Sequence, residues 1–117
     1  MSVIRVDNFG PSAGGTTYSA RGIAKAWVNF NGTGTIAARD SENVSSLTDN
    51  GTGEYDVNFS NAFSSANYAF IISSGALNNS IGGGSSVAGS GRIETRDGSN
   101  TLADSSYVYS SAYGDLA

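Results

Sequence analysis

The sequence predicts an all-β protein: an antiparallel β-sandwich, jelly-roll-like, of six to eight short strands that follows an extended N-terminal arm. Three observations predict this fold. Val, Ile, Thr, Phe, Tyr and Trp number 34 of the 117 residues, whereas Leu, Glu, Lys, Gln, Met and Arg number 14. Several short stretches alternate apolar and polar residues with period two. Turn-forming Gly, Asn and Ser residues separate these stretches, as is typical of sandwiches and barrels.

Two stretches alternate most clearly. In Ala24–Asn31 the residues at positions 26, 28 and 30 are apolar and share one face of the expected strand. In Glu54–Ser60 the apolar face carries Tyr55, Val57 and Phe59, and carboxylates and an amide occupy the other. Weaker alternation predicts further strands at Thr35–Arg39, Glu42–Leu47, Asn67–Ser73, Arg92–Arg96 and Tyr107–Tyr109.

The turn residues divide the chain into an arm and one domain. Residues 1–22 form the expected arm, in which Ser2–Asp7 is a short strand or an extended segment and Phe9–Gly22 is a loop. Residues 23–117 form the expected single sandwich domain. Asn31-Gly32 predicts a tight hairpin turn, and Asp49–Gly53 predicts a second turn. Gly82–Gly84 is expected to hold no regular element.

The supply of large apolar side chains is small. Leu, Ile, Val and Phe number 23, whereas Gly, Ser, Asn and Thr number 55. The net charge is −4, so charge repulsion is weak and disorder is not favoured. We therefore expect a folded chain with a thin core that is completed by partner subunits, as in a homotrimer.

The composition excludes several classes of site. There is no Cys and no His, so thiolate metal sites, a Cys nucleophile and a Ser-His-Asp triad are absent. Six basic residues scattered along an acidic chain do not predict nucleic-acid binding. No apolar run is long enough to insert into a membrane, and the N-terminus lacks the pattern of a signal peptide. We expect no cofactor and no metal.

Two carboxylate pairs are candidate catalytic groups. Asp40/Glu42 and Glu54/Asp56 are each spaced by two residues, so each pair shares a strand face and could in principle hydrolyse a glycoside. Polar residues at this spacing are also what any half-buried strand shows, and we favour a solvated face. Asp49–Glu54 lacks the spacing of the twelve-residue calcium loop, and we expect a turn there. No catalytic residue is therefore assigned.

Aromatic residues on polar faces are the candidate binding groups. Trp27 lies on the polar face of its strand with Lys25, and we predict a subunit interface at these two residues. Tyr107 and Tyr109 lie near Asn- and Ser-rich loops, a combination typical of adaptable binding surfaces. These loops also contain Asn78, Asn79 and Asn100, which complete the candidate receptor surface.

The stretches Ala24–Ala37 and Arg39–Phe59 resemble a module of bacteriophage tail-fibre-like and other virion structural proteins. Ala66–Ala69 and Asp104–Val108 are similar to it as well, and residues 23–73 match best. The resemblance implies an all-β, commonly trimeric domain on a virion. Tail fibres are usually long, whereas about 22 residues precede the matched stretch, so we expect a short tip, a short docked fibre or a small accessory protein.

The resemblance yields a non-enzymatic tail-fibre or receptor-binding element as the expected function. Val3, Ile4, Val6 and Phe9 of the arm would dock the chain to other tail, baseplate or capsid proteins. The loops within Gly75–Gly91 and Asp97–Ser106 would face a host cell-surface glycan. The alternatives are a capsid decoration or head-fibre protein and, from another class, a small carbohydrate-active enzyme. The expected location is the virion, assembled in the host cytoplasm.

Overall fold

The computed structural model describes residues 2–75, 81–83 and 85–117. These residues contain ten strands, one 3-10 helix at Ala20–Gly22 and no α-helix. The strands are β1 (Asn8–Phe9), β2 (Tyr18–Ser19), β3 (Ala26–Asn31), β4 (Ala37–Glu42), β5 (Val44–Gly51), β6 (Glu54–Phe59), β7 (Ala69–Ser74), β8 (Ile81–Gly83), β9 (Ser90–Thr95) and β10 (Val108–Tyr113).

Eight of these strands form the sandwich. Sheet I has the order β4-β3-β10-β7, and sheet II has the order β5-β6-β9-β8. Every pairing within them is antiparallel, which confirms the predicted all-β sandwich. The first and last strands of the sandwich, β3 and β10, pair in the middle of sheet I. The two-residue strands β1 and β2 form a separate small hairpin in the arm.

The core lies between the two sheets and follows the predicted alternation. Val28 and Phe30 of sheet I face Tyr55 and Val57 of sheet II, and each is at most 2% exposed. The rings of Phe30 and Tyr55 meet edge to face at 5.2 Å between centroids. This geometry is favourable for aromatic pairs because the positive ring edge meets the negative ring face.

Small residues allow large rings to enter this thin core. Gly91 of β9 lies directly against the ring of Phe70 from the opposite sheet. An added Cβ at Gly91 would lie 2.5 Å from Cε2 and Cζ of that ring. The glycine therefore provides the space that the Phe70 ring occupies, and the two sheets approach closely at this point.

The antiparallel course gives the sandwich two different ends. The distal pole carries the connections 32–36, 52–53 and 96–107 and the residue after β7, Gly75. The proximal pole carries the start of β3, where the arm joins, and the end of β10. Strands of six residues separate the poles by about 20 Å.

Several local predictions are wrong. Asn31-Gly32 does not form a two-residue turn, because the Asn31 carboxamide accepts hydrogen bonds from Thr33 and the chain reverses over 32–36, with positive φ at Gly34. The sequence 82–84 was expected to be irregular, yet Ile81–Gly83 pairs with β9 because backbone hydrogen bonds need no side chain. The expected loop at Phe9–Gly22 contains β2 and the 3-10 helix.

Gly75–Gly91 is also not a single distal loop. The carbonyl oxygens of Ala88 and Gly89 accept hydrogen bonds from Phe63 and Phe59 at the proximal pole. Strand β8 begins at the distal end of β9, where Ile81 pairs with Thr95, and runs toward the proximal pole as far as the pairing of Gly83 with Ile93. Residues 85–91 therefore lie away from the other loops that the sequence placed at the receptor surface.

Gly91→Ala should lower the free energy of unfolding by about 1–3 kcal/mol, because its Cβ would overlap the Phe70 ring. Gly89→Ala is the matched control, since no heavy atom lies within 4 Å of its added Cβ. Urea unfolding followed by circular dichroism measures both variants. Equal midpoints for the two variants would contradict the close packing of the sheets.

Candidate functional site

The loops of the distal pole are the candidate site, and the hydroxyl of Tyr55 lies at their centre. This hydroxyl is 2.8 Å from the carbonyl oxygen of Gly32, to which it donates, and 3.1 Å from Oδ1 of Asp104. The same Oδ1 accepts a hydrogen bond from the Gly53 amide at 2.8 Å. One buried side chain thus connects the three loops 32–36, 52–53 and 96–107.

Two glycines make this close approach possible. A Cβ at Gly32 would lie 2.5 Å from the Tyr55 hydroxyl oxygen. Gly53 has a φ of +68°, and its Cβ would lie 2.5 Å from the carbonyl oxygen of Thr95. Any residue with a Cβ would therefore overlap a neighbouring atom at both positions. At Gly53 the positive φ also disfavours residues other than glycine.

The environment of Tyr55 keeps its hydroxyl protonated. Burial raises the pKa of Tyr55 to about 12, and the negative charge of Asp104 acts in the same direction. A hydrogen bond involving Thr95 opposes these effects in part. The neutral hydroxyl therefore remains a donor over the whole physiological pH range.

Tyr107 and Tyr109 of the predicted receptor surface do lie together. Their ring centroids are 6.4 Å apart, and Tyr107 is 44% exposed. The guanidinium of Arg39 lies 4.2 Å from the Tyr107 ring centroid and donates to Asn29 and to the Ser106 carbonyl. Arg39 thus holds the Tyr107 ring by a cation–π contact and connects it to sheet I.

The predicted asparagines are located less completely. Asn100 lies at the distal pole in a turn, with a φ of 63° and its amide donating to the Asp97 carbonyl at 2.9 Å. Asn78 and Asn79 lie outside the described residues. The Gly75 amide donates to the Tyr107 carbonyl at 3.0 Å, so the segment that leads to these asparagines begins beside the tyrosines.

The two predicted interface residues are in different settings. Trp27 is 38% exposed on the outer face of sheet I, beside a depression of about 250 Å³ whose walls include Ile71 and Tyr109. The Lys25 ammonium donates to three carbonyl oxygens at the base of the arm, those of Ala20, Arg21 and Ile23. This local role accounts for Lys25 without a second subunit, and the interface at Trp27 stays a prediction.

The predicted docking residues of the arm are all exposed. Val3, Ile4, Val6 and Phe9 have exposed fractions of 62%, 87%, 54% and 45%. The base of the arm is attached to the sandwich by an ion pair of 2.9 Å between Arg21 and Asp115. The arm therefore leaves the proximal pole, opposite the tyrosines.

Of the four carboxylates considered as catalytic groups, Asp56 is held in an ion pair with Arg92. Burial raises the pKa of Asp56, but hydrogen bonds from Arg92 and Asn50 and the charge of Arg92 outweigh it and hold the pKa below its usual value. A general acid needs the opposite shift. In the 49–54 segment, the Asp49 carboxylate accepts from the Gly51 amide at 3.1 Å, which is a turn contact.

The described residues include no group of three or more His, Cys, Asp or Glu side chains placed to hold a metal ion. Within the ranges that the structure covers, no helix has the length and apolar character needed to span a bilayer.

Sequence reasoning missed Asp104 and Arg39. The alternation predicts that Tyr55 faces the core. A buried phenol usually needs a hydrogen-bond partner, so the sequence does indicate that such a partner exists. The partner comes from a residue 49 positions away, and the sequence contains no signal for that distance.

Comparison of the chain with protein-family models, curated proteins and solved structures found no match. The description of the site therefore depends on its own geometry.

Tyr55→Phe should lower the free energy of unfolding at neutral pH by about 1–3 kcal/mol, because Asp104 and Gly32 lose a buried partner. Folding raises the pKa of Tyr55, so the hydroxyl contributes its full stabilising free energy below pH 10, the ordinary pKa of tyrosine. This contribution is lost as the pH rises to about 12. The difference between wild type and variant should therefore narrow over this range.

Urea unfolding at neutral pH and across this alkaline range measures the effect. Tyr18→Phe, in the exposed arm, is the control and should match the wild type at neutral pH. A Tyr55→Phe variant as stable as the wild type would contradict the role of this hydroxyl.

Proposed function

We propose that the chain is a non-enzymatic structural protein of a bacteriophage virion, acting as a short tail-fibre or receptor-binding element. The observation that carries this proposal is the placement of an exposed apolar arm and of a loop cluster at opposite poles of one sandwich. An attachment segment and a recognition surface need this separation, because each must reach its partner without blocking the other. The resemblance of residues 23–73 to virion modules supports the particle setting.

In this proposal each pole has a distinct role. The arm attaches the chain to its neighbours in the particle through Val3, Ile4, Val6 and Phe9, whose burial supplies the hydrophobic free energy. The distal loops present Tyr107, with Arg39 bound to its ring, to a host-surface glycan. Tyr side chains give rigid contact area at a small cost in entropy.

The low pKa of Asp56 supports the non-enzymatic assignment. Its carboxylate is paired with the Arg92 guanidinium at 2.5 Å and is therefore a poor proton donor near neutral pH. Glu54 and Asp56 then belong to the solvated outer face of sheet II.

The second candidate function is capsid decoration. The exposed arm favours it equally, because the same apolar side chains could bind a capsid shell as well as a tail. The two functions differ in stoichiometry, since decoration proteins cover a shell and tail elements do not. Quantitative mass spectrometry of purified particles should give a copy number like that of the tail proteins. A copy number like that of the major capsid protein would overturn the tail assignment in favour of decoration.

Receptor binding is tested by competition. The purified chain should reduce adsorption of the phage to host cells, and the double variant Tyr107→Ala with Tyr109→Ala should lose this effect. Tyr113→Ala is the matched control, because it lies on the same strand but at the proximal pole, and it should compete like the wild type. No competition by the folded wild type would overturn the receptor-binding role.

A further inference from the structure

The first six described residues of the arm form a strip that carries three apolar side chains and ends at Asp7, whose carbonyl oxygen accepts a hydrogen bond from the Ala20 amide at 2.8 Å. Residues 2–7 belong to no strand, although their sequence alternates, and Ile4 is 87% exposed. The molecule is 51 Å long and 26 and 25 Å across, whereas a six-residue strand spans about 20 Å. Much of the length is therefore arm that projects beyond its own sandwich.

A cleft on one side of the sandwich is the matching feature. It lies between β4 and β5, which are edge strands of sheets I and II, and its volume is about 270 Å³. Ala38 and Ser41 line it from sheet I, and Val44 and Leu47 line it from sheet II. Because the residues from sheet I are small, the space between the sheets is not filled here. The edge strands also present backbone groups without a partner strand.

We propose that residues 2–7 of one copy add as a strand along the β4 edge of a second copy, with Ile4 and Val6 inserted into this cleft. Side chains two residues apart lie on the same face of a strand, so both fit the cleft together. Strand addition to an open sheet edge provides backbone hydrogen bonds as well as apolar burial. This inference rests on the proposed function in one respect, that the assembly belongs to a virion. It identifies the neighbour that the arm binds as a second copy of the chain.

The added strand would also bring Arg5 to two carboxylates of the β4 edge. With Ile4 and Val6 directed inward, Arg5 and Asp7 lie on the outer face of the added strand, and Asp7 lies at the end that is hydrogen-bonded to Ala20 of its own chain. Asp40 and Glu42 lie on the outer face of β4, opposite Asn29 and Trp27 of β3. In the described part of the chain, none of the ion pairs uses Arg5, Asp40 or Glu42. The arrangement would pair a free cation with two free carboxylates at the rim.

The solvent-exposed area of the chain is large enough to supply an interface between two copies. A compact monomer of 11.9 kDa exposes about 5,900 Å². This chain exposes 6855 Å². The excess of about 900 Å² is close to the roughly 800 Å² that each partner buries in a stable complex. The contact is heterologous, because arm and cleft are different surfaces, and a ring of copies such as the expected trimer would satisfy all of them.

The solution mass of the full chain tests this assembly directly. Light scattering should show an oligomer, and Ile4→Asp should raise its dissociation constant by about 10- to 100-fold. Val87→Asp is the matched control, since Val87 is equally exposed but lies outside both the arm and the cleft, and it should leave the assembly intact. All these side chains are exposed, so circular dichroism should show an unchanged fold.

Engineered cysteines identify the contact itself, because the natural chain has none. Val6→Cys combined with Ala38→Cys should form disulfide-linked multimers under oxidising conditions, and Val3→Cys with Ala38→Cys should not. A monomeric wild type, an oligomer that survives Ile4→Asp, or a disulfide confined to one chain would each overturn the inference. None of these results bears on whether the chain is present in the virion, so the proposed function is tested separately.

Discussion

The hydrogen bonds of the Tyr55 hydroxyl and the Asp104 carboxylate are the constraint on which the distal pole depends. The hydroxyl donates to the carbonyl oxygen of Gly32, and Oδ1 of Asp104, 3.1 Å from the hydroxyl, accepts from the Gly53 amide. Loops from both sheets are therefore held by the buried Tyr55 side chain and the partly buried Asp104 rather than by their own sequences. Because an unpaired buried polar group is costly, each of these three connections stabilises the other two. Tyr107 and Tyr109 lie three and five residues after Asp104 along the chain, so their positions depend on this pair.

The thin core explains both the close approach of the sheets and the open side of the sandwich. Gly91 allows the Phe70 ring to reach the opposite sheet, and Gly32 allows the Tyr55 hydroxyl to reach a carbonyl. At β4 the small inner residues Ala38 and Ser41 leave a cleft instead, because no large ring from sheet II enters there. The same scarcity of large apolar residues thus produces tight contacts in one place and an unfilled edge in another. The predicted need for partner subunits applies to that edge.

Much of the fold could be predicted from local pattern. The period-two alternation around Val28 and Val57 identified the strands and their buried faces, since side-chain direction in a strand is a local property. The turn at Asn31-Gly32 was predicted wrongly, because the buried contact of Gly32 with Tyr55 decides the loop and comes from another sheet. The site could be predicted only in part for the same reason. Tyr107 and Tyr109 are neighbours in sequence, whereas Arg39 reaches Tyr107 from a different strand.

We propose that the two poles of one sandwich have different partners, the particle at one pole and the host surface at the other. Cryo-electron microscopy of the intact particle tests this most directly, because the arm and the distal loops are distinguishable once the sandwich is fitted into the map. We expect the proximal pole, from which the arm leaves, to lie toward the particle body and the loop containing Asp104 to point into solvent. Distal loops buried against the particle, with the arm directed outward, would contradict it.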